Sequence, residues 1–335
     1  MKQDFPLNGV IGIIANHPNE LDLALESGLQ CVEVRADLLL DAGISLNQIL
    51  KLIQDAQSKG LASLMTLRHP SHGGTFSGTE DERVQINQKA LEAGADLIDL
   101  EWASDASEAM VQKQAPMVIS HHDFEGMLSE EELNDLSGKM EALAPRAIKV
   151  VPTAKSLSHS FQMLNWVSDA KPEISRIGFA MGVYGTSSRI LTTVFGAPIT
   201  YASFGAAVAP GQLSMNELQE LFNIQDLNRE AQIYAYAGKE ANGSPQLESM
   251  NRKLKMQNHN AVCVPLETDD LDELMAITEK ISFAGIQLAP PLKELYEKQL
   301  AQSKPLPTHS LFQELEGVLI CLLYTSPSPR DPSLS

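Results

Sequence analysis

Lys149 is the only charge in the apolar run Ala147-Ile148-Lys149-Val150-Val151, and four other titratable residues occupy similar settings. Glu33 and Arg35 alternate with apolar residues in Glu33-Val34-Arg35-Ala36-Asp37. Arg68 closes Thr66-Leu67-Arg68, and His122 follows Val118-Ile119-Ser120-His121. Burying a charge without a partner is expensive, so each needs a reason. Taken singly, each reads equally well as part of an internal salt-bridge network, with Glu33 paired to Arg35 or Lys149. Five of them facing one site point to chemistry. A desolvated lysine with cationic neighbours has a lowered pKa and is partly free amine at neutral pH. Such an amine is the nucleophile for imine formation with a ketone. His122 can then move protons, and the arginines suit a carboxylate gripped in bidentate fashion. Physical chemistry alone reaches a Schiff-base lyase or aldolase acting on an anionic keto compound.

These residues must be positioned by strands. Apolar, β-branched runs fall at 9–15, 31–38, 62–68, 97–102, 117–123, 147–153, 176–182 and 198–204, separated by segments with helical apolar spacing such as Leu133-Leu136-Met140-Leu143. Strand and helix repeated eight times predict parallel strands with crossover helices. Within residues 1–224 that is a (β/α)₈ barrel. A doubly wound open sheet is the rival, but no Gly-x-Gly-x-x-Gly follows the first strand. Barrel chemistry sits at the C-terminal ends of the strands, and alternation decides which side chains share the interior. On that basis Glu33, Arg35 and Asp37 share a face, Thr66 pairs with Arg68, and Ser120 with His122, while His121 points the other way.

Composition narrows the partners. A formal charge of −18 argues against nucleic acid and against an anionic membrane surface. An anionic substrate must therefore be held by local positive charge. The three cysteines, Cys31, Cys263 and Cys321, show no paired or Cys-x-x-Cys spacing, which suggests a reducing compartment and no zinc site. No signal peptide and no run of membrane-spanning length are visible, so a cytoplasmic location is expected. His69 and His72, with His121 and His122, invite a metal reading. A loop pair spaced by three is weak support for it, so no metal and no cofactor are expected. The partner expected is a small-molecule substrate, and a second copy of the chain is the candidate for assembly.

The segments quoted above, together with Met181-Gly182-Val183-Tyr184-Gly185-Thr186-Ser187-Ser188-Arg189 and Ala209-Pro210-Gly211-Gln212, resemble type I 3-dehydroquinate dehydratase in order and over nearly the whole barrel. The resemblance implies that Lys149 condenses with the C3 ketone of 3-dehydroquinate. His122 then removes a C2 proton, the C1 hydroxyl leaves as water, and hydrolysis releases 3-dehydroshikimate. It implies that Arg189 holds the substrate carboxylate, and that Glu33, Arg35, Arg68 and Gln212 bind ring hydroxyls and close the site. Pro210 and Gly211 fit a lid loop. Two positions depart from the family pattern. His72 stands where the family carries a carboxylate that partners the catalytic histidine, and Val208 stands where a lid serine is usual.

Beyond the barrel, Gln232-Ile233-Tyr234-Ala235-Tyr236-Ala237-Gly238 opens a new strand, and residues 229–305 resemble a truncated shikimate dehydrogenase substrate domain, the second part of a bifunctional fusion. Its motifs are eroded: Gln287-Leu288-Ala289-Pro290-Pro291-Leu292-Lys293 keeps only Pro291 and Lys293 of the family pattern. No glycine lies between Gly285 and Gly317, so no dinucleotide loop is expected there, nor dehydrogenase activity in this chain. Residues 319–335 look like translated read-through and predict a non-native, disordered tail. Degenerate copies of these two domains also occur in quinate-pathway regulators, which makes a non-catalytic ligand sensor the alternative function. Retention of both Lys149 and His122 favours the enzyme.

Overall fold

The computed structural model describes residues 5–207 and 209–302, with the backbone of two further strands at 310–315 and 318–323. Eight parallel strands form the first sheet: β1 (Gly9–Ile14), β2 (Cys31–Arg35), β3 (Ala62–Thr66), β4 (Leu97–Glu101), β5 (Met117–Asp123), β6 (Ala147–Pro152), β7 (Ser175–Gly178) and β8 (Ile199–Ser203). Their order, β7-β6-β5-β4-β3-β2-β1-β8, wraps the first strand against the last, as a (β/α)₈ barrel requires.

Alternation along each strand builds two cores. Ile11, Ile13, Leu64, Leu97, Val118, Ala147, Ile177 and Ile199 fill the barrel interior. Val10, Val32, Met65, Ile98, Ile119, Ile148 and Val150 face the surrounding helices. Those helices are α1 (Glu20–Glu26), α2 (Ala36–Asp41), α3 (Leu46–Ser58), α4 (Glu80–Glu92), α5 (Asp105–Gln112), α6 (Glu130–Glu141), α7 (Leu157–Ser168) and α8 (Thr186–Leu191). Capping boxes start three of them, with Ser45 and Gln48, Thr79 and Glu82, and Ser129 and Glu132 exchanging side-chain and backbone bonds.

Two strands stop three or more residues short of their apolar runs. The run at 31–38 ends as a strand at Arg35, and Ala36-Asp37-Leu38-Leu39-Leu40-Asp41 turns at once into α2. Ala and Leu are strong helix formers, and Asp37 in the first turn complements the helix dipole. Asp37 is thus a helix residue, not a strand neighbour of Glu33. The run at 176–182 ends as a strand at Gly178, and Met181 keeps only an isolated bridge to Thr153.

A second sheet follows, built from β9 (Gln232–Gly238), β10 (Ala261–Glu267), β11 (Gly285–Leu288), β12 (Ser310–Leu315) and β13 (Val318–Leu323) in the order β10-β9-β11-β13-β12. The first three are parallel and are linked by α9 (Pro245–Met256) and α10 (Leu271–Thr278), with α11 (Pro290–Gln302) after β11. Residues 319–323 therefore differ from the structureless tail expected of them. Val318-Leu319-Ile320-Cys321-Leu322-Leu323 is an unbroken apolar run of strand length, and it pairs antiparallel with β11 and β12. Residues 324–335 lie outside the described residues. Among those described, no helix is long and apolar enough to cross a membrane.

Candidate active site

Parity along the strands brings the predicted residues to one end of the barrel. Glu33, Arg35, Arg68, His72, His122, Lys149, Arg189 and Gln212 all line a single cavity there, together with Phe124, Phe179, Met181 and Tyr201. Lys149 enters it from the middle of β6, opposite Ser120 of β5, and is only 4% exposed. Arg35 and Arg68 come from the ends of β2 and β3, and Arg189 projects from α8.

At the floor sits a residue that the sequence reading passed over. Asp99 of β4 is fully buried and contacts both cations: Lys149 Nζ lies 3.3 Å and Arg68 Nη2 2.9 Å from its Oδ2. Glu33 lies farther, 3.9 Å from Lys149 Nζ, and accepts a 2.8 Å hydrogen bond from Thr66 Oγ1. Arg68 also donates to Ser120 Oγ at 2.7 Å and reaches Glu101 at 3.4 Å; behind it Glu101 pairs with Arg83. Ser120 Oγ in turn donates to Asp99 at 2.6 Å. Arg35 is engaged in bidentate fashion by Asp37, at 2.9 and 2.8 Å, rather than by Glu33. The signal for Asp99 was present. In Leu97-Ile98-Asp99-Leu100-Glu101 the two carboxylates share inward parity at a strand end, as Glu33 and Arg35 do.

These contacts set the proton affinities. Burial lowers the pKa of Lys149, and Arg68 adds to that, while Asp99 and Glu33 oppose it. Asp99 itself is pushed up by burial, but Arg68 and Lys149 overrule this and hold it well below the usual carboxylate range. Tyr201, whose ring lies 4.2 Å under Lys149 Nζ, is raised well above 10 by burial. The floor thus carries an ionised carboxylate beneath a lysine biased toward its free amine.

His122 stands beside Lys149 on the neighbouring strand, and burial holds its pKa well below 6.5, with Arg68 and Lys149 acting the same way. Its buried Nδ1 has no hydrogen-bond partner among the described residues. His72 sits in the short turn Pro70–His72, its ring 6.2 Å from that of His122 and 6.0 Å from that of His121. Burial and Arg68 lower its pKa to about 4. Facing His122 is therefore a neutral imidazole.

Arg189 closes the opposite wall. Its guanidinium packs over Phe179 at 4.6 Å and donates to the Pro210 carbonyl at 3.1 Å, and burial lowers its pKa to about 10. Pro210 and Gly211 run against Gly182, whose N–H also donates to the Pro210 carbonyl at 3.3 Å. Gly211 has φ +70°, and a Cβ there would stand 2.7 Å from the Gly182 oxygen, so this approach requires glycine. Val208 lies outside the described residues.

A family model described as Type I 3-dehydroquinase matches residues 14–229. The chain belongs to that family. Among curated members of wider kinship, the bifunctional 3-dehydroquinate dehydratase/shikimate dehydrogenase, chloroplastic, of Arabidopsis thaliana is 29% identical over 282 residues, covering 82% of this chain and 46% of that protein. The chain thus spans less than half of that relative. The 3-dehydroquinate dehydratase of Thermococcus gammatolerans is 34% identical over 167 residues, covering 49% of this chain and 76% of that one. Among solved structures, the dehydroquinate dehydratase and shikimate dehydrogenase from S. pombe AroM shares the fold with a TM-score of 0.53 at 22% identity, over 88% of this chain and 58% of that one. Covering 82% and 88% of this chain, the matches to the Arabidopsis thaliana and S. pombe proteins extend beyond the barrel into the second unit.

Proposed function

We propose that this dehydroquinase-family barrel is a 3-dehydroquinate dehydratase that works through a Schiff base on Lys149. The observation that carries the reading is a buried lysine amine sharing one cavity with a neutral histidine and a buried arginine. Lys149 Nζ, biased toward the free amine, adds to the C3 carbonyl, and loss of water gives a protonated imine. The cation formed there gains from ionised Asp99 at 3.3 Å and from Glu33 at 3.9 Å. His122 is neutral and so can take the C2 proton, whose electron pair flows into the iminium to give an enamine. The enamine electrons then expel the C1 hydroxyl, which leaves as water on taking a proton from His122. Water hydrolyses the new imine, releasing 3-dehydroshikimate and regenerating the amine.

Arg189 suits the substrate carboxylate because its guanidinium is buried against the Pro210 carbonyl and the Phe179 ring, with no carboxylate paired to it among the described residues. Arg35 is already held by Asp37 and Arg68 by Asp99, so these two are better suited to hydroxyl contacts and to shaping the field around Lys149. Incubation with 3-dehydroquinate, followed by NMR, tests the reading: the alkene proton of 3-dehydroshikimate should appear with catalytic turnover. Binding of the substrate without any product would instead favour the sensor.

A further inference from the structure

We propose that Asn242, in the second unit, is a positioning residue for the substrate lid of the barrel, holding the Val183 carbonyl from outside while Glu267 holds Asn242. The proposal rests on the dehydratase reading of the cavity. Asn242 follows β9, in the turn that leads to α9, and its side-chain amide donates to the Val183 carbonyl at 3.3 Å and to Glu267 Oε2 at 2.9 Å. The same carboxylate accepts from Asn242 N at 3.2 Å and from Glu240 N. The side-chain amide thus donates once across the boundary, to Val183, and once to Glu267, while two backbone N–H bonds hold Glu267 in the turn. A charged acceptor strengthens the bonds on the Glu267 side.

Val183 is where that fixing matters. It opens the short turn Val183–Gly185, directly after Gly182. Gly182 donates its N–H to the Pro210 carbonyl, and its own oxygen is the atom that Gly211 approaches too closely to allow a side chain. The Pro210 carbonyl also accepts from Arg189. One bonded path therefore runs Glu267, Asn242, Val183, Gly182, Pro210, Arg189, and Gln212 of the cavity wall follows two residues after Pro210. The second unit also packs here, with β10 lying against α8 and against the Val183–Gly185 turn. Displacing Val183 shifts the surface on which the lid rests and the anchor of the arginine, without touching Lys149 or His122.

The expected consequence is a loss of substrate affinity with the chemical step intact. Asn242→Ala removes the donor, and Asn242→Asp keeps the shape while losing the donor and meeting Glu267 with like charge. Both should raise KM for 3-dehydroquinate, and weaken 3-dehydroshikimate binding by calorimetry, about three- to tenfold, the range for one lost hydrogen bond. In the same variants kcat should change by less than about twofold. Asn242→Gln, which keeps the amide, should fall between them and the parent. Lys255→Ala serves as control, since it breaks a different contact between the units, to Gln219 O and Glu220, far from the lid; it should leave KM and kcat unchanged. Unchanged KM and product affinity in both Asn242→Ala and Asn242→Asp would overturn the proposal, as would a fall in kcat at constant KM. A parent protein that neither binds nor turns over these compounds would sink the dehydratase reading and this proposal together. A parent that binds and reacts beside indifferent variants would sink the role of Asn242 alone.

Discussion

At the scale of single residues, the notable position is His72. The family resemblance places a carboxylate there, as partner to the proton-transferring histidine, and this chain places an imidazole held neutral by burial and by Arg68. A neutral partner can stand beside His122 but cannot favour its cationic form, which the carboxylate would do. His72→Glu should therefore raise kcat roughly tenfold, a modest part of the 10²–10⁴ that a well-placed acid–base group supplies. It should also move the acid limb of kcat/KM to higher pH, because a nearby carboxylate raises the pKa of His122. A pH–rate profile of the variant beside the parent checks both. Asp99 is the other position at which the structure adds to the sequence. A carboxylate in an apolar strand is as legible as a lysine in one, yet its role becomes visible only when the barrel brings Arg68, after β3, and Lys149 of β6 to one oxygen of Asp99.

At the scale of elements, strand alternation carried most of the information. Eight apolar runs gave eight strands, and their inward parity gathered Glu33, Arg68, His122 and Lys149 around one cavity. Strand ends were less legible, because Leu38-Leu39-Leu40 suits a buried strand as well as a helix until the turn at Arg35 decides between them. The loop of Pro210 and Gly211 is a matter of backbone geometry. Gly211 combines a left-handed φ with a close approach to Gly182. Gly211→Ala should cost about 1–2 kcal/mol in backbone strain alone. The expected result is a rise of about tenfold in KM, since the Pro210 carbonyl that holds Arg189 would have to move. Steady-state kinetics will show whether the loss falls on KM, as a lid defect requires, or on kcat. The trace linking Asn242 to this loop was not legible in sequence, because its two ends are separated by 59 positions and meet only through the packing of β10 on α8.

At the scale of the whole molecule, the charge arrangement sets the response to acid. His72 is lowered to about 4 and His122 lies well below 6.5, so the folded protein binds fewer protons than the unfolded chain between those values. Stability therefore rises with pH through that window and is lost as pH falls from about 6.5 toward 4. Thermal melts at successive pH values should show Tm falling across this range, and His72→Phe should flatten part of the fall. The central claim concerns Lys149, and intact-mass measurement on the full chain tests it most directly. Protein incubated with 3-dehydroquinate and reduced with borohydride should gain the mass of one reduced adduct, which peptide mapping places on Lys149. Lys149→Ala should gain none under the same treatment. An unmodified parent that still produces 3-dehydroshikimate, or an adduct mapped to another lysine, would contradict the Schiff-base mechanism at Lys149.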